Sequence, residues 1–168
     1  RAMDNDTRAF NGAVSFIPVC GYLLARRTHA PNLVWAASSI AIDASPASIP
    51  ESTLSDALWD GASMLSTSPY DFWSYASGAR YNTFAFRGAQ MDGWGNVNNT
   101  VIGPYETPKV RLPGGGGMAD LGSMIPKIYL WNTTHNTRTC PQRFGCCPWS
   151  VREWWRLRWC GRFAPRPI

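Results

Sequence analysis

A cysteine and a histidine in this sequence have the types and settings needed for a nucleophilic pair. Cys20 opens the segment CGYLLARR, which could begin a short helix, and a helix N-terminus lowers the pKa of a thiol. His135 follows the strand-like segment YLWNTT, where its imidazole could accept the thiol proton. This arrangement predicts a small cysteine hydrolase that uses Cys20 and His135. The alternative is that Cys20, inside an apolar run, is a buried core residue.

Basic and aromatic residues are concentrated near the C-terminus, and they predict a binding surface. The net charge is +5, and residues 138–168 hold seven arginines and one acid. Apolar and basic residues alternate from 155 to 163, which predicts a strand, although Ser150 and Glu153 would also fit a helix capping box. The candidate binding residues are Arg152, Trp154, Arg156, Arg158 and Arg162.

The partner that this surface predicts is self-association or another protein subunit. A localised basic segment also fits a nucleic acid or another polyanion, which is the second expectation. Membrane insertion is the least expected use, because Trp/Arg strips at membranes are usually amphipathic helices.

Four of the five cysteines fall close together in the same segment, at Cys140, Cys146, Cys147 and Cys160. They lack the C-x2-C spacing and the paired histidines of zinc sites, so no metal and no cofactor is predicted. Disulfides that pin the C-terminal segment are the expected alternative, each adding roughly 2–4 kcal/mol of stability.

Three N-x-Thr sequons occur, at Asn5, Asn98 and Asn132. Together with the clustered cysteines they predict glycosylation and an extracellular, lumenal or virion-surface location. The alternative explanation is turn formation, in which Asn and Thr are frequent.

A group of aromatic residues gives a further candidate site. A stacking platform for a sugar could be formed by Tyr70, Phe72, Trp73, Tyr75 and Trp94. Such a platform predicts a carbohydrate-binding module, whereas the competing interpretation places these rings in the core.

Several strands must position these residues. Residues 13–25 predict a strand, a break at Pro18 and then a second strand or a short helix from Cys20. A buried strand is predicted over residues 33–42, with a helix as the alternative. Strands are also predicted over residues 81–86 and 127–134, with short β-prone pieces at TVI and KVRL.

Two helices and one flexible loop complete the predicted elements. Ser48 and Glu51 form a capping box that predicts a helix near 49–65, and Ser68-Pro69 predicts a shorter helix ending before Gly78. Residues 114–117 predict a tight loop or hinge and no phosphate-binding loop, because no Lys-Ser/Thr and no helix-opening pattern follows.

Together these patterns predict a mainly β fold, either sandwich-like, jelly-roll-like or a distorted barrel, with one or two helical insertions. Residues 1–137 would form the β-rich core, and residues 138–168 a disulfide-pinned segment packed on the same domain. The function this favours is a non-enzymatic structural or binding protein of secreted, surface or virion type, such as a capsid-like coat subunit.

Overall fold

The computed structural model describes residues 3–12, 14–37, 41–46, 63–92 and 95–140. The described strands are β1 (Arg8–Asn11), β2 (Val34–Ala37), β3 (Ala41–Ile42), β4 (Leu65–Ser66), β5 (Thr83–Arg87), β6 (Gln90–Met91), β7 (Val97–Asn98), β8 (Val101–Ile102), β9 (Val110–Arg111) and β10 (Lys127–Trp131). The described helices are α1 (Phe16–Thr28), α2 (Pro69–Ser77) and α3 (Met118–Met124).

Six of these strands form one mixed sheet in the order β10-β5-β1-β2-β3-β4. The four strands from β10 to β2 are parallel, with Phe10 opposite both Phe84 and Ala36. Strands β3 and β4 are antiparallel additions at one edge. Two separate antiparallel pairs, β6 with β7 and β8 with β9, lie along the chain between β5 and β10.

Helices cover both faces of the parallel strands, which explains why those strands are apolar on both sides. On one face, Val19 and Tyr22 of α1 pack with Ala9 and Trp35. On the other face, the Phe10 and Phe84 rings stack at 4.2 Å between centroids, and α2 and α3 cover them. Successive residues of one strand therefore serve two different cores.

The predicted β-sandwich, jelly roll or barrel is wrong, because this is an α/β domain built on a mainly parallel sheet. Short apolar runs are compatible with strands of either architecture, and only the helices between them require parallel pairing. Cys140 is the one cysteine of the C-terminal cluster that the structure describes. It is a free cysteine, so the disulfide predicted for it is wrong. Cys146, Cys147 and Cys160 lie outside the described residues.

The predicted break at Pro18 is also wrong. Pro18 lies in the first turn of α1, where backbone N–H groups have no helical partner and a missing N–H costs little. The helix therefore begins at Phe16 and runs through Cys20 to Thr28 without interruption.

Other predicted elements are confirmed. Helix α2 begins after Ser68, whose Oγ accepts a hydrogen bond from the N–H of Asp71 at 3.1 Å, and it ends at Gly78. Strands β5 and β10 lie where residues 81–86 and 127–134 predicted them. The helix predicted near 49–65 lies mostly outside the described residues, and its last residue, Leu65, is in β4.

None of the three described helices has the length and apolar character needed to cross a bilayer.

Candidate functional site

A cleft of about 560 Å³ opens at the carboxyl ends of β1 and β5. Strand β2, which follows β1 along the chain, lies on one side of β1 in the sheet, and β5 lies on the other side. The connections that leave β1 and β5 therefore run in opposite directions from this point. Open parallel sheets bind ligands in the crevice that this divergence creates. The described lining residues are Phe10, Asn11, Gly12, Phe72, Trp73, Phe84, Phe86, Arg87, Ala89, Asn99, Pro113, Gly114, Gly115, Gly116, Gly117, Met118 and Leu121.

Aromatic side chains form one wall of the cleft. Phe10 and Phe84 come from the two strands, and Phe72 from α2 meets Phe10 edge-on at 5.5 Å. Tyr81 packs behind them, 5.2 Å from Phe10. Burial is the main cause that raises the pKa of Tyr81 to about 12, and nearby Tyr75 adds to it. This wall suits the apolar part of a ligand and holds a neutral phenol behind it.

The end of β1 contributes an amide to the cleft. The Nδ2 of Asn11 donates to the carbonyl of Gly12 at 3.0 Å, and the N–H of Gly12 donates to the carbonyl of Ala85 at 2.9 Å. The Oδ1 of Asn11 is shielded from solvent, and no donor reaches it from the part of the chain that the structure describes. Such an acceptor is expected to gain a partner when a ligand or another protein group binds.

Four consecutive glycines, residues 114–117, form the opposite wall, which we call the glycine loop. Gly114 and Gly116 have φ values of 94° and 53°, in the left-handed region that favours glycine. Within the part of the chain that the structure describes, no acceptor receives a hydrogen bond from the N–H groups of Gly115, Gly116 and Gly117. The loop that lines the cleft therefore carries backbone donors with no acceptor among the described residues.

Asn99 fixes this loop against the end of β5. Its Oδ1 accepts from the N–H of Ala89 at 2.7 Å, and its Nδ2 lies 3.1 Å from the sulfur of Met118. Its backbone carbonyl accepts from the N–H of Gly114 at 2.8 Å. One asparagine thus connects β5, the glycine loop and the start of α3.

Arg87 ends β5 and is the one charged residue among the described lining residues. Its Nη2 donates to the Oγ1 of Thr133 at 3.4 Å, and its Cζ lies 5.7 Å from the centre of the Trp131 ring. Neither contact neutralises the charge. Both contacts place the guanidinium on the α1 face of the sheet, beside Trp131, whereas the cleft opens on the face that α2 and α3 cover. The cleft itself combines a glycine loop with an apolar wall, which suits a ligand with a carbonyl on a short carbon chain.

The residues predicted for catalysis are not in this cleft. Cys20 is exposed on α1, and His135 follows β10, with its Nδ1 3.8 Å from the sulfur of Cys140. Neither Cys20 nor His135 lines the cleft.

The structure divides the aromatic group predicted to bind sugar. Phe72 and Trp73 both line the cleft, whereas Tyr70 and Tyr75 are exposed elsewhere on α2. Trp94 lies outside the described residues, as do Arg152, Trp154, Arg156, Arg158 and Arg162.

The three sequon asparagines have different surroundings. Asn5 is exposed and its Oδ1 accepts from the N–H of Asn32. Asn98 and Asn132 are each 7% exposed, and their amide nitrogens donate to the carbonyls of Val101 and Gly88. An attached glycan would require those two amides to turn outward. Glycosylation and an extracellular or lumenal location stay predictions.

Among the lining residues, Asn11, Arg87 and Asn99 were missed in the sequence, whereas Phe72, Trp73 and the glycine loop were noted there with other roles. These three residues are far apart along the chain. The parallel pairing of β1 with β5 brings the two strand ends together, and hydrogen bonds to Ala89 and Arg87 hold Asn99 there. The available signal was a polar residue at the end of each apolar strand. The glycine run was recognised as a loop, but the helix that begins at Met118 was not.

The sequence pattern of the family described as Coenzyme A transferase matches residues 10–139. The chain is 36% identical over 135 residues to the B subunit of 3-oxoadipate CoA-transferase from Pseudomonas knackmussii, covering 77% of this chain and 52% of that protein. It is 31% identical over 121 residues to the B subunit of glutaconate CoA-transferase from Acidaminococcus fermentans, covering 68% and 44%. The chain thus spans about half the length of the curated relatives it matches.

A solved structure has the same fold. A variant of the decarboxylase AibA/AibB superposes with a TM-score of 0.76 at 24% identity, covering 84% of this chain and 59% of that one. This likeness agrees with the α/β architecture described above.

These matches overturn the predicted functions. A non-enzymatic structural protein of secreted or virion type, a cysteine hydrolase and a carbohydrate-binding module are all wrong, because the match is to an enzyme family and includes the strands and loop of the cleft. Since the match over residues 10–139 takes in most of the sequence, the chain belongs to the coenzyme A transferase family.

Proposed function

We propose that this chain is the B-type subunit of a heteromeric CoA transferase and that its cleft binds the acyl end of a CoA thioester. The observation that carries the proposal is the position of the glycine loop, which faces the carboxyl ends of β1 and β5 across the cleft. The reaction exchanges a thioester for a carboxylate. The CoA sulfur leaves one acyl carbon and bonds to the other, and a carboxylate oxygen moves in the opposite direction.

The cleft has backbone donors and an apolar wall that would stabilise the bound thioester during such an exchange. A thioester carbonyl oxygen becomes more negative when a nucleophile attacks its carbon, and backbone donors lower the energy of that state. The unpaired N–H groups of Gly115, Gly116 and Gly117 are suited to this role. Phe84 and Phe86 would pack along the carbon chain of the acyl group.

The attacking group must come from elsewhere. Among the described lining residues there is no carboxylate, thiol, hydroxyl or imidazole. We propose that a second subunit supplies it. Two relatives are named as B subunits of their enzymes, which supports association with an A-type subunit. The relatives give no support to a nucleic-acid partner, and self-association stays a prediction.

The acyl group is proposed to derive from a short dicarboxylic acid. The relatives are named for 3-oxoadipate and glutaconate, and both compounds are dicarboxylic acids. The apolar wall of the cleft is compatible with the carbon chain of such an acid.

An exchange assay tests the proposal. The protein would be co-expressed and purified with an A-type subunit, then mixed with glutaryl-CoA and isotopically labelled acetate. We expect labelled acetyl-CoA, detected by mass spectrometry, only when both subunits are present. Hydrolysis of glutaryl-CoA without labelled acetyl-CoA, or exchange by the A-type subunit alone, would contradict the proposed function.

A further inference from the structure

Trp73 of α2 is the one exposed aromatic side chain among the described residues that line the cleft. It is 42% exposed, whereas Phe10, Phe72 and Phe84 are buried. Its ring meets the Phe72 ring edge-on, at 5.5 Å between centroids. Trp73 therefore lies at the border between the apolar wall and solvent.

The indole of Trp73 lies against Gly117, the last residue of the glycine loop. A Cβ added to Gly117 would lie 2.9 Å from Cζ3 and 3.0 Å from Cη2 of the indole, closer than the ~3.5 Å at which carbon atoms pack. The φ of Gly117 is −78°, a value that residues with side chains adopt freely. The ring of Trp73, and no requirement of the backbone, is therefore what excludes a side chain at position 117.

The glycine loop is held at both ends by groups outside it. At its start, the N–H of Gly114 donates to the carbonyl of Asn99 at 2.8 Å. At its end, the carbonyl of Gly117 accepts from the N–H of Leu121 at 2.9 Å, and the Trp73 ring covers the side on which a Cβ would lie. Glycine restricts the backbone less than any other residue, so the conformation between these ends depends on the two anchors.

We infer that Trp73 is a positioning residue for the exchange, because it holds the N–H groups of the glycine loop where the thioester oxygen becomes negative. This inference rests on the proposed function, since it takes the acyl carbonyl to lie at the loop. Backbone donors stabilise such an oxygen most when they are already in place. Without the indole the end of the loop is free to move, and the donors lose that placement although none of them has been removed.

A pair of substitutions at Trp73 and Gly117 tests the inference in the protein assembled with an A-type subunit. Exchange between glutaryl-CoA and labelled acetate would be measured for Trp73→Ala, Gly117→Ala and the double variant. Misplacing a group in the site by about 1 Å can cost about 100-fold, so we expect each single variant to lose at least about tenfold in rate. The double variant should be no slower than Trp73→Ala, because a methyl group at position 117 then meets no ring.

Two further variants serve as controls. Tyr70 lies on the same helix, is 80% exposed and does not line the cleft, so Tyr70→Ala should leave the exchange rate unchanged. Trp73→Phe keeps an aromatic ring beside Phe72, but the shorter side chain covers Gly117 less, so the rate should recover in part. Trp73→Phe also replaces Trp73→Ala in the comparison if the alanine variant does not fold.

Losses that multiply in the double variant would overturn the inference, and so would an unchanged rate in Trp73→Ala. A lack of exchange by the unmodified assembled protein would instead reject the proposed function. The holding of the loop is then decided by the ¹⁵N order parameters of Gly115 and Gly116 in the protein without ligand. They should fall in Trp73→Ala and stay the same in Tyr70→Ala. Unchanged order parameters in both variants would reject the role of Trp73.

Discussion

The N–H of Gly114 donates to the backbone carbonyl of Asn99 at 2.8 Å, which joins the start of the glycine loop to the turn between β7 and β8. The side chain of the same asparagine holds the N–H of Ala89, just beyond β5. The two walls of the cleft are therefore connected through one residue. Movement of Asn99 would change the distance between the loop and the strand ends.

Replacing Asn99 with alanine should weaken both the fold and ligand binding. The N–H of Ala89 would lose its acceptor, so we expect the free energy of unfolding to fall by about 1–2 kcal/mol in urea denaturation. Affinity for glutaryl-CoA, measured by calorimetry, should also fall because the glycine loop loses its support.

Asn96→Ala is the control for this substitution. The Nδ2 of Asn96 donates to Asp92 at 2.8 Å, outside the cleft. It should reduce stability by about 1 kcal/mol while leaving the affinity for glutaryl-CoA unchanged. Equal loss of affinity in both variants would contradict the positioning role of Asn99.

Two glycine-to-alanine substitutions should have opposite effects on stability. A Cβ at Gly116 or at Gly122 would meet open space, so only the backbone conformation distinguishes them. Gly116 has a φ of 53°, and alanine there should cost about 1–2 kcal/mol. Gly122 lies within α3, where alanine should add about 0.5–1 kcal/mol. Urea denaturation would measure both, and a change of the same sign in the two variants would contradict the described loop.

Tyr81→Phe should change how stability depends on pH. Burial raises the pKa of Tyr81 to about 12 in the folded chain, whereas the unfolded value is about 10. Between these values the unfolded chain loses the proton first, so the free energy of unfolding falls as pH rises from about 10 to about 12, by up to about 1.4 kcal/mol per pH unit. Without the phenol, the decrease should be shallower.

Urea denaturation at pH values of about 9, 10 and 11, which bracket the unfolded pKa, would measure this difference. The buried phenol of Tyr22, whose pKa is also raised, is present in both proteins and cancels in the comparison. At neutral pH the substitution should cost little, because the hydroxyl of Tyr81 has no described hydrogen-bond partner. Parallel stability curves for the two proteins would rule out the raised pKa.

Local signals in the sequence predicted local elements. Helix α2 follows from Ser68, Pro69 and Gly78, which are a cap, a first-turn residue and a stop within one short segment. Strand β5 follows from its own apolar run. The error at Pro18 arose because a proline breaks a helix or opens one depending on where the helix begins, and Ser15 gives no side-chain cap to mark that start.

The sheet and the cleft depend on contacts between distant parts of the chain. Whether Phe84 pairs parallel or antiparallel with Phe10 is decided by the helices that cover both faces, and the apolar run around each residue is compatible with either. Asn11, Arg87 and Asn99 are recognised as lining one cleft only after that pairing is known. Cys20 was proposed as a nucleophile from its residue type and its expected place at a helix start. It lies on α1 and is not among the residues that line the cleft.

Binding of the acyl group at the glycine loop is the central claim, and chemical-shift mapping tests it most directly. Backbone amide signals of the ¹⁵N-labelled protein would be followed during titration with glutaryl-CoA. We predict the largest shifts at Gly12, Gly115, Gly116 and Gly117, which line the two walls of the cleft. Largest shifts on the exposed face of α1, or no shifts at the glycine loop at saturation, would contradict the account.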